Sequence, residues 1–175
     1  MSEIIKSGEN IILRRMTVDD TDNIVRWRNS ETVMKHFIVR TPLTPEIHNN
    51  WIKTKVDTGL VQQFIITIKA TGKEIGSVYF RDIDYEKSTA EFGIFIGEED
   101  EQHKGYGYET QKLALDYAFD NMGVKTVTLR VLADNKGAIA NYEKCGFCKI
   151  EGSDIQTIID GQPKTVIFMQ TNGVN

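Results

Sequence analysis

Apolar residues along this chain recur with two different periods, and the switches between them lay out an order of elements. Ile11-Ile12-Leu13 predicts a first strand. Thr17-Val18-Asp19-Asp20 reads as a helix start with acids in its first turn, and Ile24, Val25 and Trp27 carry that helix to Arg28. Thr44-Pro45 is a second start, a capping residue followed by proline at the first helical position. Ile47, Trp51, Ile52 and Val56 give that segment a helical stripe. The spacing then turns strand-like over Gln63 to Lys69, Glu74 to Asp84 and Thr89 to Ile96, which predicts a meander of short turn-linked strands. Helical spacing returns from Tyr108 to Met122, with Leu113, Ala114, Tyr117 and Ala118 on one face. A strand over Thr126 to Leu132, a short helix from Asn135 to about Cys145, and strand runs over Phe147 to Ile159 and Thr165 to Thr171 complete the chain. Asp160-Gly161 between the last two is a strong hairpin signal.

The order β-α-α-β-β-β-α-β-α-β-β predicts an α/β (α+β) fold in one domain over residues 1–175. Its sheet is expected to be mixed, mostly antiparallel and twisted, with six to seven strands flanked by about four helices. The unit from Glu91 to Leu132, strand–loop–helix–strand, predicts one local parallel pair. A chain of 175 residues can bury a sizeable core. The net charge of −4 lends no support to a nucleic-acid-binding surface. No apolar run approaches the roughly 20 residues that span a bilayer. The start, Met1 to Lys6, lacks the apolar core of a signal peptide. The expectation is a cytoplasmic protein with no nucleic-acid or membrane partner.

Cys145 and Cys148 are spaced C-x-x-C, which suits a redox pair or half of a zinc site. His36, His48 and His103 are scattered and no second cysteine pair exists, so no metal is expected. The simpler reading is two small, partly buried residues at a helix-to-strand junction.

The stretch Gln102-His103-Lys104-Gly105-Tyr106-Gly107 sits between a predicted strand and a predicted helix. Glycines two apart let backbone N–H groups approach a phosphate, and a helix N-terminus adds unpaired donors and a favourable dipole. No Gly-Lys-Ser/Thr follows, and the pattern is not a dinucleotide fingerprint. A second segment runs Asn135-Lys136-Gly137-Ala138-Ile139-Ala140-Asn141-Tyr142-Glu143-Lys144-Cys145-Gly146-Phe147. Together, Gln102-x-x-Gly105-x-Gly107 and Asn-x-x-Ala-x-x-x-Tyr-x-x-x-Gly-Phe resemble the GNAT superfamily of N-acetyltransferases, with the expected strand between them.

That resemblance implies acetyl-CoA as co-substrate and direct attack by an amine in a ternary complex, without a covalent enzyme intermediate. It implies that the backbone of Gln102, His103, Lys104, Gly105, Tyr106, Gly107 and Tyr108 holds the pyrophosphate. Ile94, Phe95 and Ile96 would pair with the pantetheine arm, and Asn135 and Ala138 would line the same region. Lys104 reads either as a phosphate contact or as a solvated lysine. Tyr142 is implied as the acid that protonates the departing thiolate, which a neutral phenol can do. The amine must also lose a proton. At the reference lysine pKa, only about one part in two thousand is free base at pH 7, a cost of roughly 4–5 kcal/mol. Glu91 is the candidate base, on the strand face opposite Phe92, Ile94 and Ile96; the other reading is an ion pair with Arg81 or Arg130.

The acceptor is expected to be shaped by the N-terminal half. Arg26-Trp27-Arg28-Asn29 and Thr44 to Trp51 are similar to segments of acetyltransferases acting on UDP-linked amino-dideoxy sugars, with Arg28, His48 and Trp51 as substrate-binding candidates. Trp27 and Trp51 read equally as core anchors. The C-terminal half is similar to spermidine N-acetyltransferases, and Glu98 to Glu101 offer acids to a polycation. A protein N-terminal amine or an aminoglycoside is a further alternative. A non-catalytic acyl-CoA-binding module is the alternative of another class. A homodimer is common among such relatives.

Overall fold

The structure, a computed structural model, describes residues 3–173. Nine strands form one sheet: β1 (Ile4–Ser7), β2 (Ile11–Arg15), β3 (Gln62–Ile68), β4 (Glu74–Asp84), β5 (Thr89–Ile96), β6 (Thr126–Leu132), β7 (Cys148–Lys149), β8 (Ile155–Ile159) and β9 (Gln162–Asn172). The helices are α1 (Thr21–Asn29), α2 (Glu31–Met34), α3 (Pro45–Trp51), α4 (Tyr106–Asn121) and α5 (Lys136–Lys144). Strand order is β1-β2-β3-β4-β5-β6-β9-β7, with β8 also paired to β9. The sheet thus exceeds the expected six to seven strands, and the helices the expected four. β1, α2 and the short β7 are too brief to show a period in sequence.

Strand alternation divides the core into two layers. Phe64 and Ile66 of β3 join Phe92 of β5 beneath α4 and α5, together with Ala114, Leu115, Ala118 and Tyr142. Ile65 and Phe95 point the other way, onto Ile24 and Trp27 of α1, Val33 of α2 and Ile52. Because β3 is buried on both faces, it reads as a continuous Phe-Ile-Ile run rather than an alternating one. Each such buried side chain contributes about 1.5–3 kcal/mol.

Local chemistry sets the ends of the elements. Thr44 Oγ1 accepts from Ile47 N at 3.3 Å, capping α3 ahead of Pro45. α3 then runs into a π-helical turn over Ile52–Val56. The first helix starts later than its sequence signal, because Val18–Asp20 makes a tight 3-10 turn instead. Asp160 (φ 50°) and Gly161 (φ 75°) make the left-handed turn that closes Ile159 onto Gln162.

β5 and β6 are the parallel pair. Their register holds at Thr89↔Thr126, Ala90↔Val127 and Glu91↔Thr128, and pairs nothing beyond. β5 continues to Ile96 and β6 to Leu132, so the two strands separate after Glu91 and Thr128. This gap opens the site. No helix of the described residues is long and apolar enough to cross a membrane.

Candidate active site

A cavity of about 420 Å³ occupies the opening between β5 and β6. Its walls come from Phe92 to Ile96 on β5, Arg130 and Val131 on β6, the loop before α4, and one face of α5.

The loop is shaped by backbone conformation. His103 (φ 62°) and Gly105 (φ 87°) are both left-handed, which turns successive N–H groups to one side. Gln102 Nε2 donates to Ile96 O at 3.0 Å and ties the loop to the end of β5. α4 begins at Tyr106, so its first N–H groups lack helical acceptors and remain available to an anion. A Cβ placed on Gly107 would meet no protein atom within 4 Å, so this glycine leaves open space at the cavity wall.

Another wall of the cavity is formed by α5. Asn135 caps it, with Oδ1 accepting from Ala138 N at 3.3 Å. Gly137, Ala138, Asn141 and Tyr142 then face the cavity. Tyr142 is 8% exposed, its ring edge-on to Phe92 and Phe147 at 6.3 and 5.7 Å. Burial pushes its phenol well above the ordinary value, so it is a neutral O–H donor at pH 7.

Of the residues expected to hold the cofactor, Ile94, Phe95, Ile96, Gln102, His103, Gly105, Gly107, Tyr108, Asn135 and Ala138 line the cavity. Lys104 and Tyr106 do not. Lys104 Nζ is held by Glu101 at 2.8 Å, and Tyr106 packs against the core layer under α4. Glu91 lies at the cavity wall on the face opposite Phe92, Ile94 and Ile96. Its Oε1 accepts from Arg130 Nε and Nη2 at 3.1 and 3.0 Å, and from both Nε and Nη2 of Arg81. Both cations named for the ion-pair reading therefore meet it at once.

The three acceptor candidates part company. Arg28 lines the cavity; His48 and Trp51 do not. His48 is 3% exposed between α1 and α3, with Nδ1 at 3.0 Å from Thr21 Oγ1, and burial pulls its pKa down. Trp51 donates from Nε1 to Gln63 Oε1 at 3.3 Å. His48 thus joins α3 to α1, and Trp51 joins α3 to β3. Trp27 is likewise a core anchor, its Nε1 donating to Glu98 Oε1 at 2.7 Å.

Tyr79, Gln111 and Asn141 also line the cavity, without a signal in the sequence. Cross-strand register could have found Tyr79, which sits opposite Gly93. A side chain at Gly93 would run into the Tyr79 phenol, so glycine there lets the ring lie across β5. The acids Glu98 to Glu101 are taken up by neighbours: Glu98 by Arg26 and Trp27, Glu99 by Thr32, Asp100 and Glu101 by Lys73. Cys145 is half-buried and Cys148 exposed, so only the first matches the buried reading. Burial pushes the Cys145 thiol up to about 11. Among the described residues no group of three or more His, Cys, Asp or Glu side chains is placed to hold a metal ion.

Comparison with known proteins agrees with this architecture. A family model described as an acetyltransferase (GNAT) domain matches residues 10–148. Spermidine N(1)-acetyltransferase of Vibrio cholerae is 38% identical over 144 residues, covering 80% of this chain and 80% of that protein. An uncharacterized N-acetyltransferase of Bacillus licheniformis is 26% identical over 145 residues, covering 81% and 80%. An uncharacterized protein of Methanocaldococcus jannaschii is 30% identical over 149 residues, and the chain spans 30% of its length. The crystal structure of the Vibrio cholerae spermidine N-acetyltransferase with CoA and spermine superposes with a TM-score of 0.85 at 23% identity, covering 94% of this chain and 96% of that one. That likeness establishes the fold. The chain belongs to the GNAT acetyltransferase family. Its class is that of the acetyl-CoA-dependent N-acetyltransferases.

Proposed function

We propose that this chain transfers the acetyl group of acetyl-CoA to a primary amine inside the cavity between β5 and β6. The observation that carries the reading is the joining, in one cavity, of an anion-ready loop, two separated strands and a neutral buried phenol. The loop and the α4 N-terminus receive the pyrophosphate of CoA. The unpaired edge of β5 beyond Glu91 offers backbone groups to the pantetheine amides. The amine attacks the thioester carbonyl, the C–S bond breaks, and the Tyr142 hydroxyl gives its proton to the thiolate. The proton lost by the amine passes to water in the open cavity, Glu91 being held by Arg81 and Arg130.

Two acceptors are supported by different observations. A polyamine is the acceptor the relatives support, because the 38% identical Vibrio cholerae protein is a spermidine acetyltransferase. The nucleotide-linked amino sugar draws nothing from the named relatives, and two of its three candidate residues lie outside the cavity. It stands as a second reading because Arg28, Arg81 and Arg130 all line the cavity wall. Release of CoA thiol from acetyl-CoA, scored by kcat/KM, decides between them. The panel is spermidine, a UDP-linked amino sugar, an N-terminal peptide and an aminoglycoside. Acetyl-CoA binding with no release for any of them would leave either an acceptor outside this panel or a binding module.

A further inference from the structure

The cavity wall holds more positive charge than the transfer chemistry uses. Arg28 leaves the last turn of α1 and lays its guanidinium over the Phe37 ring, 3.6 Å from the centroid. Among the described residues no carboxylate pairs with it, and its Nε is buried without an acceptor. Burial pulls its pKa down, as expected for a cation without a counter-charge. Arg81 and Arg130, from β4 and β6, converge on the single oxygen Glu91 Oε1. The wall therefore carries three guanidiniums against the one lining carboxylate at this end, that of Glu91, with Asp82, outside the lining, 3.8 Å from Arg81 Nε. The other lining acid, Glu101, is paired with Lys73 and Lys104 at the loop.

The phosphates of CoA do not account for this charge. The loop follows Ile96, whereas Glu91 and its arginines sit at the opposite end of the open stretch of β5. Five residues of strand separate them, roughly 16 Å at about 3.3 Å per residue. Guanidinium forks match the planar oxygens of phosphates and carboxylates, and a partly buried fork gains most from such a partner. A cationic group in the same place would be repelled.

We propose that Arg28, Arg81 and Arg130, the latter two tethered by Glu91, form an oxyanion receptor that holds a phosphate or carboxylate on the amine acceptor. The inference rests on the transferase reading and deepens its second acceptor. In this arrangement the anion fixes one end of the acceptor and leaves its amine free to approach the thioester. Arg28 and Arg130 act on acceptor affinity, whereas Tyr142 acts on turnover.

The test uses the full chain saturated with CoA, so that the loop is occupied. Calorimetric titration with inorganic pyrophosphate, citrate and spermidine is compared for the wild type, Arg28→Gln and Arg130→Gln. The receptor predicts that pyrophosphate or citrate binds the CoA-loaded wild type; the stronger of the two tells phosphate from carboxylate. Each substitution weakens that binding tenfold or more, while Arg28→Gln leaves CoA affinity unchanged. The Arg130 side chain is 34% exposed, so its variant carries the test if Arg28→Gln does not fold. Spermidine binding with no anion binding, or anion binding indifferent to both substitutions, overturns the receptor and leaves the transferase standing. Failure of the wild type to bind CoA overturns both.

Discussion

The two ends of the cavity are built from different materials. The end we assign to the cofactor is mostly backbone: a loop turned by His103 and Gly105, the open first turn of α4, and the unpaired edge of β5. The end we assign to the acceptor is mostly side chain: Arg28, Tyr79, Arg81, Glu91 and Arg130, drawn from four elements. Backbone recognition needs a particular local conformation, so it leaves a short, ordered motif in the sequence. Side-chain recognition needs only that distant residues meet, and it leaves none. The first end therefore reports the class of the protein, and the second its substrate. Relatives at this level of identity share the first more securely than the second.

The sharpest way to break that division is at Tyr142, where the ends meet. Tyr142→Phe removes the proton donor and keeps the ring packed on Phe92 and Phe147. Turnover should fall by about 10²–10⁴, the usual share of general acid catalysis, with acetyl-CoA affinity nearly unchanged by calorimetry. Full activity in that variant removes Tyr142 from the mechanism. Gly107→Val comes next. The new side chain meets no protein atom at its Cβ, so the melting temperature should hold. It intrudes on the space left for the cofactor, and crowding of about 1–3 kcal/mol would weaken acetyl-CoA roughly five- to 150-fold. Unchanged affinity would place the pyrophosphate elsewhere.

Gly93→Ala probes the other end. Its methyl displaces the Tyr79 ring, and stability should drop by about 1 kcal/mol or more in a denaturant titration. Acceptor KM should rise while acetyl-CoA KM stays constant; equal changes in both would erase the distinction between the ends. The smallest effect is expected at His48, within the acceptor-side helices but outside the cavity. Burial lowers its folded pKa below the ordinary 6.5, so the unfolded chain binds the proton first. Its stabilising contribution is complete above about pH 6.5 and is lost as pH falls through that value towards the folded pKa. His48→Gln should flatten this part of the stability profile and leave acceptor KM alone.

The same contrast explains what could be read from the sequence. β4, β5 and β6 fall at their expected residues, because each is long, apolar and bounded by turn residues. The run from Phe147 to Ile159 instead splits into β7 and β8 around Gly152, whose φ of 73° interrupts extended backbone. β1 leaves no signal in the sequence because Ile4–Ser7 is only four residues long and half-covered, with no clean alternation. At the site, the motif residues on the loop and α5 reach the cavity, apart from Lys104 and Tyr106. His48 and Trp51 resembled acceptor ligands, but the turn of α3 directs them to Thr21 and Gln63. Arg81 and Arg130 were visible only as partners for Glu91, since nothing in a linear sequence shows that β4 and β6 deliver them to one oxygen. The amino-sugar expectation arose from the helical segments, the part of the molecule where sequence least determines which side chains face the cavity.

A crystal structure of the chain with acetyl-CoA tests the central claim most directly. The account predicts the pyrophosphate against the N–H groups of residues 105–108, the pantetheine between β5 and β6, and the thioester sulfur in direct contact with the Tyr142 hydroxyl. A cofactor bound outside the β5–β6 opening, or an acetyl group turned away from Tyr142, would contradict it.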